Sequence, residues 1–267
     1  MEVKLTGIPE TLLITVRARA EETLRKDAIV SDIFAIEMLE KMNIDILSGN
    51  KIAPSSQVGT VIRTQIFDRI VADFASRHPE GVIISLGCGL DARYKRLAPS
   101  CFCWYDLDVS ESIHVRKHFF QETENYKMIS RSMLDYEWMK EIPTDKPALI
   151  ISEGVFMYFT EENLKGMVNE ILNRFSNVEI AFDSIPAFLA NRANLHSEVK
   201  KYNAQFLWGN NKTEDIKKWD DRIEIVNTDY YMNYHVKRWP FAMQLVRIVP
   251  KFRKGNKVIH IRKNNKN

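Results

Sequence analysis

The chain of 267 residues has little cysteine and little net charge, and it lacks any long apolar run. Its three cysteines, Cys88, Cys101 and Cys103, are an odd number without the paired spacing of a zinc site. We therefore predict no metal site and a reducing, cytoplasmic environment. A formal net charge of +3 gives no indication of a nucleic-acid partner. The start of the sequence lacks a signal-peptide core, and no apolar run reaches the length of a membrane span, so we predict no membrane partner.

The sequence does contain enough apolar residues to build one large core. Hydrophobic residues make up 45% of it, and the length suits one α/β domain with additional segments, or at most two small domains. Apolar residues at helical spacing in 14–23 and 32–42 come before the first strand pattern. The chain is therefore predicted to begin with a helical cap. There is no internal repeat and no low-complexity segment.

The most informative stretch is an apolar run that ends in two glycines. Residues 82–86 read Val-Ile-Ile-Ser-Leu, and Gly87, Gly89 and Asp91 follow. This pattern is typical of a buried parallel strand that turns sharply beneath a ligand. Glycine suits such a turn because a Cβ atom would keep the backbone away from the bound molecule. An ordinary tight turn, in which glycine serves geometry alone, is the alternative.

The charge of Asp91 bears on which ligand the turn would hold. The spacing of Gly87, Gly89 and Ala92 also fits a loose dinucleotide fingerprint, in which backbone amides bind a pyrophosphate. A carboxylate in that turn would repel the phosphates. A nucleoside without phosphate and with a positively charged amine would tolerate it, and S-adenosylmethionine is such a ligand. The turn therefore favours S-adenosylmethionine, with a nicotinamide dinucleotide as the alternative.

Two acids end the second predicted strand, residues 101–108. Asp106 and Asp108 lie roughly twenty residues beyond Gly87, the distance at which a strand, helix, strand unit brings a carboxylate to a nucleoside ribose. Alternation along a strand puts both side chains on one face. We favour Asp108 because it lies nearer the carboxyl edge, where open sheets bind their ligands. A solvated strand end is the alternative.

Strand and helix patterns alternate through the rest of the chain. Further strands are predicted at residues 126–130, 148–151, 178–184, 223–227 and 257–262. Helices are predicted at residues 59–74, 93–97, 110–123 (with Ser110 as N-cap), 160–175, 213–219 and 236–248. Two closing strands separated by a helix predict an antiparallel edge added to a parallel sheet. The stretch 185–209 reads as irregular and partly helical, and we expect it to close over the active edge.

Two charged residues stand out by position. Arg63 lies near the start of the helix that precedes the first strand, where a solvated side chain is the ordinary outcome. Glu153 ends the apolar strand that begins at Ala148, and a carboxylate there is costly to bury unless a partner satisfies it. We therefore expect Glu153 to meet a cation or a hydroxyl group of the ligand.

Four motifs together resemble the leucine carboxyl methyltransferase family. They are Gly-Thr-Val-Ile-Arg-Thr at 59–64, Leu-Gly-Cys-Gly-Leu-Asp-Ala-Arg at 86–93, Tyr-Asp-Leu-Asp at 105–108 and Ser-Glu-Gly-Val-Phe-Met-Tyr-Phe-Thr at 152–160. The resemblance is strongest to the bacterial, tetracenomycin-type O-methyltransferase branch. It covers most of the chain in order, and the Glu-Gly-Val-Phe-Met-Tyr run is its most specific part.

The resemblance implies a fold and a cofactor. The expected fold is an α/β, seven-stranded class I (Rossmann-like) methyltransferase sheet with an N-terminal helical cap, and the expected cofactor is S-adenosylmethionine. On this basis the chain is one methyltransferase domain, divided into four segments. These are a cap at 1–58, a cofactor-binding core at 59–184, a helical insertion over the active edge at 185–222 and closing strands at 223–267.

The resemblance also suggests residue roles at the cofactor. Arg63 would bind the methionine carboxylate through a charge-assisted bond. Gly87 would lie against the methionine part, with Gly89 and Asp91 completing the turn beside it. Asp108 would hold the ribose hydroxyls. Glu153 would face the amino end of the cofactor.

One motif departs from the pattern of the family. Where the family usually has Asp-Leu-Arg-Asp near the adenine, this chain has Ser-Met-Leu-Asp at 132–135. Ser132 and Met133 are therefore the predicted adenine contacts. A serine hydroxyl bonds an exocyclic amine more weakly than a carboxylate does, so we expect a lower cofactor affinity.

The acceptor would be a small molecule that offers a carboxylate or a hydroxyl group, and an aromatic or polyketide-like compound suits the aromatic residues at 156–159. A carboxylate arrives deprotonated and needs no base, whereas a phenol benefits from one. Tyr158 and His196 are the candidate bases by position, and an ordinary buried tyrosine or surface histidine is the alternative for each.

Three rival functions stay open. They are methylation of a protein C-terminal carboxyl group, non-catalytic binding of S-adenosylmethionine, and a nicotinamide-dependent oxidoreductase activity. The oligomeric state is not predicted.

Overall fold

The protein is described by a computed structural model that covers residues 10–46, 52–97, 103–190 and 205–264. Its centre is one sheet of seven strands in the order β3-β2-β1-β4-β5-β7-β6. The strands are β1 Val82–Leu86, β2 Cys103–Asp108, β3 Tyr126–Ser130, β4 Ala148–Ser152, β5 Val178–Ser184, β6 Ile223–Tyr230 and β7 Lys257–Lys263. The first five are parallel, and β7 is antiparallel to both β5 and β6. The predicted α/β sheet with an antiparallel edge is therefore confirmed.

Eight α-helices are present in the described residues. They are α1 Glu10–Thr23, α2 Ile33–Lys41, α3 Pro54–Arg77, α4 Arg93–Leu97, α5 Ser110–Arg116, α6 Glu161–Arg174, α7 Phe241–Val246 and α8 Pro250–Arg253. Helix α3 begins five residues before the prediction, because Pro54 occupies a first helical position, where its missing N–H costs nothing. Helix α5 ends at Arg116, well before the predicted residue 123, and its N-cap is Val109, so Ser110 is not the cap.

The C-terminal helix is the largest error of prediction. A single helix at 236–248 is replaced by a 3-10 turn, Val236–Arg238, and the short helix α7. Pro240 separates them, since proline removes a backbone donor and disfavours helical conformation in the residue before it. The helix predicted at 213–219 is a 3-10 helix, Thr213–Lys218. Within 185–209, a 3-10 turn at Ala187–Leu189 is described, and residues 191–204 lie outside the described part.

Alternation along the strands divides the core between the two faces of the sheet. Ile83 and Leu149 face the side covered by α1, α2 and α3. Ile84 and Ile150 face the side covered by α6. Both faces of the parallel strands are therefore buried, as a doubly covered α/β sheet requires. The ligand-binding edge is left at the carboxyl ends of the strands.

Two kinds of special feature are absent from the ranges that the structure describes. No helix there is long and apolar enough to cross a membrane. The same ranges contain no group of three or more histidine, cysteine, aspartate or glutamate side chains placed to hold a metal ion. The division into cap, core, insertion and closing strands stays a prediction, although α3 crosses the expected boundary at residue 59.

Candidate functional site

The glycine turn after β1 has the backbone that the sequence indicated. Gly87 and Gly89 adopt φ angles of 67° and 48°, in the left-handed region that favours glycine. A Cβ at Gly87 would lie 2.5 Å from Val155 Cγ2, and a Cβ at Gly89 would lie 2.7 Å from Leu12 Cδ2. The turn is therefore enclosed between the end of β4 and the cap helix α1. Neither position has room for a larger residue.

The structure distinguishes the two acids at the end of β2. Asp106 is buried and accepts bonds from Trp104 Nε1 at 2.8 Å and from Tyr126 Oη at 2.6 Å, so its carboxylate belongs to the core. Asp108 is only partly buried, and it accepts a bond from the Gly89 amide at 2.8 Å. Burial raises the pKa of Asp108, although backbone amides oppose that effect. Asp108 is thus the acid that lies beside the glycine turn.

Arg63 is not solvated, because its guanidinium group lies between two strand-end carboxylates. Its Nε donates to Glu153 Oε1 at 3.0 Å, and its Nη1 donates to Asp183 Oδ2 at 3.1 Å. The side chain is 14% exposed. Burial alone would lower its pKa, but the charges of Asp183 and Glu153 raise it above its usual value. The helix α3 therefore brings a fixed positive charge to the carboxyl edge of β4 and β5.

The backbone of Gly154 makes this position of Arg63 possible. Gly154 has a φ of 76°, and a Cβ there would lie 3.2 Å from both terminal nitrogens of Arg63. Its amide donates to Asp183 Oδ1 at 2.6 Å. The Glu-Gly dipeptide of the sequence motif thus supplies both an acceptor for the arginine and the space in which it lies.

Glu153 connects this arginine to a second one. Its Oε1 accepts from Arg63 and from Thr64 Oγ1 at 3.3 Å, and its Oε2 accepts from Arg93 Nη2 at 2.6 Å. Asp91, which was predicted to lie at the cofactor, is bonded to Arg93 Nη1. Burial by itself would raise the pKa of Asp91, but Arg93 and Arg96 lower it below its usual value. These residues form one chain of alternating charges.

The chain of charges continues from the glycine turn into the cap. Arg93 Nε donates to Asp68 Oδ1 at 2.7 Å, and Arg96 bonds both oxygens of Asp68. Arg96 also bonds Asp32, which pairs with Arg19 at 2.8 Å. The connected network holds four guanidinium groups and five carboxylates: Arg19, Arg63, Arg93, Arg96, Asp32, Asp68, Asp91, Glu153 and Asp183. It carries one formal negative charge in excess.

Sequence reasoning missed Asp183, although a signal for it was present. Like Glu153, it stands near the end of an apolar strand, so the burial argument applied to Glu153 would have selected it too. Burial raises its pKa, with Arg63 opposing, and the Tyr231 hydroxyl lies 3.3 Å from its Oδ2. Asp68 and Arg96 had no such signal, because only the fold brings helices α3 and α4 together.

The predicted adenine contacts follow β3. Ser132 is exposed, and its Oγ accepts from the Leu134 amide at 3.2 Å. Met133 is buried in the core, and its carbonyl accepts from Trp138 Nε1 at 3.2 Å. Because the Arg131 amide donates to the Asp108 carbonyl at 3.0 Å, this segment starts beside the predicted ribose site. The Ser132 hydroxyl is accessible there, whereas the Met133 side chain is not.

An apolar cluster lies beyond the ends of β4 and β5. Met157, Ile185 and Phe206 form its buried part, and Tyr158 and Leu189 pack against them. The Tyr158 and Phe206 rings are 5.4 Å apart. Burial raises the pKa of Tyr158, although the charge of Arg63 opposes this, so its hydroxyl stays protonated at neutral pH. His196, the other candidate base, lies outside the described residues.

These residues fit S-adenosylmethionine, which supplies an activated methyl group when bound. The glycine turn has a left-handed backbone at Gly87 and Gly89, and it packs so closely against Val155 and Leu12 that a Cβ at either glycine would collide. The Asp108 carboxylate accepts from the Gly89 and Val109 amides and bonds Ser112, and its remaining lone-pair capacity can accept from a ribose hydroxyl. Arg63 uses two of its five N–H groups within the described residues, so others are available to a ligand carboxylate.

Comparisons with known proteins point to the same cofactor. The family model named Leucine carboxyl methyltransferase matches residues 12–172. The chain is 29% identical to the tetracenomycin polyketide synthesis O-methyltransferase TcmP of Streptomyces glaucescens, over 78% of this chain and 77% of that one. It is 28% identical to the S-adenosyl-L-methionine-dependent methyltransferase dpfgK of Gibberella zeae, over 78% and 76%.

A solved structure from Thermobifida fusca, named as a methyltransferase, has the same fold. It matches with a TM-score of 0.62 at 13% identity, over 97% of this chain and 99% of that one. The family match spans the glycine turn, both acids of β2 and the Glu-Gly motif. An oxidoreductase and a non-catalytic binding protein, the rivals left open by the sequence, do not agree with this match. The chain belongs to the leucine carboxyl methyltransferase family and is an S-adenosylmethionine-dependent methyltransferase.

Proposed function

We propose that the protein transfers a methyl group to an oxygen of a small, apolar acceptor, and that this oxygen belongs to a carboxylate in preference to a hydroxyl group. The observation that carries the proposal is the apolar cluster around Met157, Ile185 and Phe206; its Met157 follows shortly after Glu153, the partner of Arg63, in the motif after β4. A relative is named as a polyketide O-methyltransferase, which supports an aromatic acceptor. A protein C-terminal carboxyl group, the other carboxylate considered, agrees less well with an apolar cluster.

In this proposal the cofactor lies across the carboxyl edge of the sheet. Arg63 binds the methionine carboxylate, and Glu153 accepts from the ammonium group. Gly87 and Gly89 let the backbone approach the methionine part, and Asp91 keeps Arg93 in place beside it. Asp108 binds the ribose hydroxyls. Ser132 contacts the adenine edge, with Met133 packed beneath that segment.

The charge of the network supports this placement. S-adenosylmethionine has a sulfonium, an ammonium and a carboxylate group, so its net charge is one positive unit. The network of four guanidinium groups and five carboxylates has one negative unit in excess. A partly buried site of matching opposite charge favours such a ligand, since unbalanced charge in a low dielectric is costly.

The state of Tyr158 supports a carboxylate acceptor. Because burial raises its pKa, this hydroxyl is a hydrogen-bond donor and not a base at neutral pH. A hydrogen-bond donor orients a methyl acceptor that is already ionised, and a carboxylate, with a pKa of about 4, is such a methyl acceptor. Alignment of its oxygen with the methyl carbon, and exclusion of water, are then what the protein has to provide.

Methyl transfer to naphthoate and to naphthol, which have the same ring system, tests this proposal. We expect product from naphthoate at a rate that changes little between about pH 6 and 9, because the carboxylate is ionised throughout. We expect naphthol to react more slowly at neutral pH, and we expect its rate of methylation to increase as the pH rises. Absence of transfer to both, in protein that binds S-adenosylmethionine, would contradict the proposal.

A tyrosine variant separates a donor from a base. Tyr158→Phe should raise KM for naphthoate several-fold and leave kcat within about twofold, because it removes an orienting bond only. A fall in kcat of about 100-fold or more would instead assign general-base catalysis to Tyr158. Tyr94→Phe is the matched control, since Tyr94 stacks on Tyr126 with ring centroids 4.1 Å apart, outside the apolar cluster.

A further inference from the structure

A surface that the cofactor and acceptor sites do not use is both apolar and basic. Large apolar side chains project from α7, α8 and the turn between them, and we call these the C-terminal apolar patch: Phe241, Leu245, Ile248, Val249 and Phe252. Phe241 and Ile248 are each 75% exposed. Single exposed apolar residues are ordinary, but five within twelve positions are a concentration, and concentrations of exposed apolar side chains mark interaction surfaces.

The charge around the patch has one sign. The last acid of the chain is Asp229, so residues 230–267 contain no aspartate or glutamate, although the whole chain has 35. The same segment has ten lysines and arginines. Lys237, Lys251 and Lys254 are exposed, and none of them forms a salt bridge with another described residue. The patch is therefore surrounded by positive charge that no acid of its own segment balances.

The patch adjoins the acceptor side of the proposed active site. Helix α8 packs beside the segment after β5, where a Cβ at Gly255 would lie 2.9 Å from Pro186 Cγ. Lys251 Nζ lies 5.8 Å from the centroid of the Phe188 ring. Phe188 belongs to the same 3-10 turn as Leu189, which packs against the apolar cluster. The α8 end of the patch therefore lies beside the 3-10 turn that packs against the apolar cluster.

We propose that the C-terminal apolar patch docks on the surface of an anionic lipid bilayer. Phe241 and Ile248 enter the boundary between headgroups and acyl chains, and the lysines lie against the phosphates. Protruding aromatic and aliphatic side chains among lysines and arginines are the composition that binds this interface. This proposal departs from the sequence-based prediction of no membrane partner, which rested on the lack of a signal-peptide core and of a run long enough to span a bilayer; docking on a surface needs neither.

The charges disfavour the other occupants of such a patch. A second copy of the chain, paired by a two-fold axis, would bring the same lysines together without an acid between them. An acidic protein would balance the charge, but it would also have to offer a pocket for each protruding side chain, whereas fluid lipid adapts to their shape. If the proposed function holds as well, an apolar acceptor dissolved in the bilayer would enter at the adjoining cluster.

Co-sedimentation of the full chain with vesicles tests the proposal, and it does not depend on activity. We expect binding to vesicles of phosphatidylcholine mixed with phosphatidylserine, and little binding to phosphatidylcholine alone. Added salt should weaken it, since the lysine contribution is screened. The double variant Phe241→Ser with Ile248→Ser, called the patch variant, should lower the partition coefficient into vesicles by about tenfold or more. The reason is that several methylene groups buried in the lipid are lost.

The matched control places two serines at other exposed apolar positions, away from the patch. Leu24 and Ile33 are 56% and 55% exposed and lie in the cap region, so Leu24→Ser with Ile33→Ser should leave vesicle binding unchanged. Stabilisation of each variant by S-adenosylmethionine in a melting assay would show that it is folded.

Three outcomes would overturn the proposal. The first is that the wild-type chain stays in the supernatant with both kinds of vesicle. The second is that the patch variant and its control bind vesicles equally. The third is that the wild-type chain is a dimer in sedimentation velocity and the patch variant is a monomer. That result would assign the patch to self-association. Failure of methyl transfer with intact vesicle binding would count against the proposed function alone.

Discussion

At the scale of single residues, neighbours in sequence differ in what they do. Asp106 and Asp108 lie on one face of one strand, yet only Asp108 lies beside the glycine turn, while Asp106 is bonded within the core. The pattern of the sequence could not separate them with certainty. The separation comes from Trp104, Tyr126 and the buried Arg116, whose polar atoms satisfy the inner acid.

Gly154 is the residue whose replacement should reveal the most about the site. We expect Gly154→Ala to lower the free energy of unfolding by about 1 to 3 kcal/mol, because its φ of 76° is strained for alanine. We also expect about tenfold weaker binding of S-adenosylmethionine in calorimetric titration, since the new Cβ would press on Arg63.

Gly166 provides the matched control, because it lies inside α6 away from the proposed site. A Cβ there would meet the Tyr136 hydroxyl at 3.3 Å, at a backbone angle that any residue adopts. Gly166→Ala should leave cofactor binding unchanged and alter stability by no more than about 1 kcal/mol. Equal effects of the two variants on binding would argue that Gly154 has no special relation to Arg63.

At the scale of elements, the cap is attached to the glycine turn by charges. Asp32 is the N-cap of α2, and it also pairs with Arg19 of α1 and with Arg96 of α4. Arg19 Nη2 donates to the Leu90 carbonyl at 3.2 Å, inside the turn region. The cap helices and the turn are thus parts of one polar network. The position of α1 over Gly89 depends on it.

Removal of the charge of Asp32 should loosen this attachment. Asp32→Asn keeps an oxygen that can cap α2, but it leaves the buried guanidinium group of Arg19 without its carboxylate partner and removes one carboxylate from Arg96, which keeps Asp68. We expect a loss of about 2 to 4 kcal/mol in urea unfolding and weaker cofactor binding. Asp27→Asn, at an exposed position, should leave the unfolding midpoint where it is. An unchanged midpoint for Asp32→Asn would contradict the structural role of the network.

Helices and strands differ in how well the sequence predicts them. Helix α6 begins close to the predicted residue 160, since the Thr160 side chain caps it by accepting from the Asn163 amide. The prediction of one C-terminal helix at 236–248 was wrong. Pro240 was the residue that indicated otherwise, because proline is incompatible with a helix interior. Strand β6 runs to Tyr230, beyond the predicted end, with a bulge between Ile225 and Asn227. Pairing with β7 extended it, and no local pattern specifies that pairing.

At the scale of the whole molecule, Glu179 joins three elements. It lies on β5, forms a two-pronged ion pair with Arg77 at the end of α3, and lies 2.8 Å from His260 Nε2 of β7. Burial alone would raise its pKa, but His260 and Arg77 lower it to about 2. The antiparallel edge is therefore held to the parallel sheet and its helix by one carboxylate.

This carboxylate predicts how stability depends on acid. A pKa that is lower in the folded state means stability that is complete above the unfolded value of about 4.5 and is lost as pH falls towards about 2. We expect the contribution to be about 1 to 2 kcal/mol after solvent screening. Urea unfolding at neutral pH and near pH 3 should show a smaller difference for Glu179→Gln than for the wild type. Equal differences would mean that Glu179 is not responsible.

The sequence by itself determined the sheet, the glycine turn and the candidate ligand residues, because alternation, glycine and strand-end charges act locally. It also indicated the family, whose motifs lie at the ends of β1, β2 and β4. Only the tertiary structure decided that Arg63 lies between Glu153 and Asp183, and that five apolar side chains stand exposed among lysines. Such features depend on which distant elements come into contact. The free energy of those contacts depends on residues far apart in the sequence, so no single stretch predicts it.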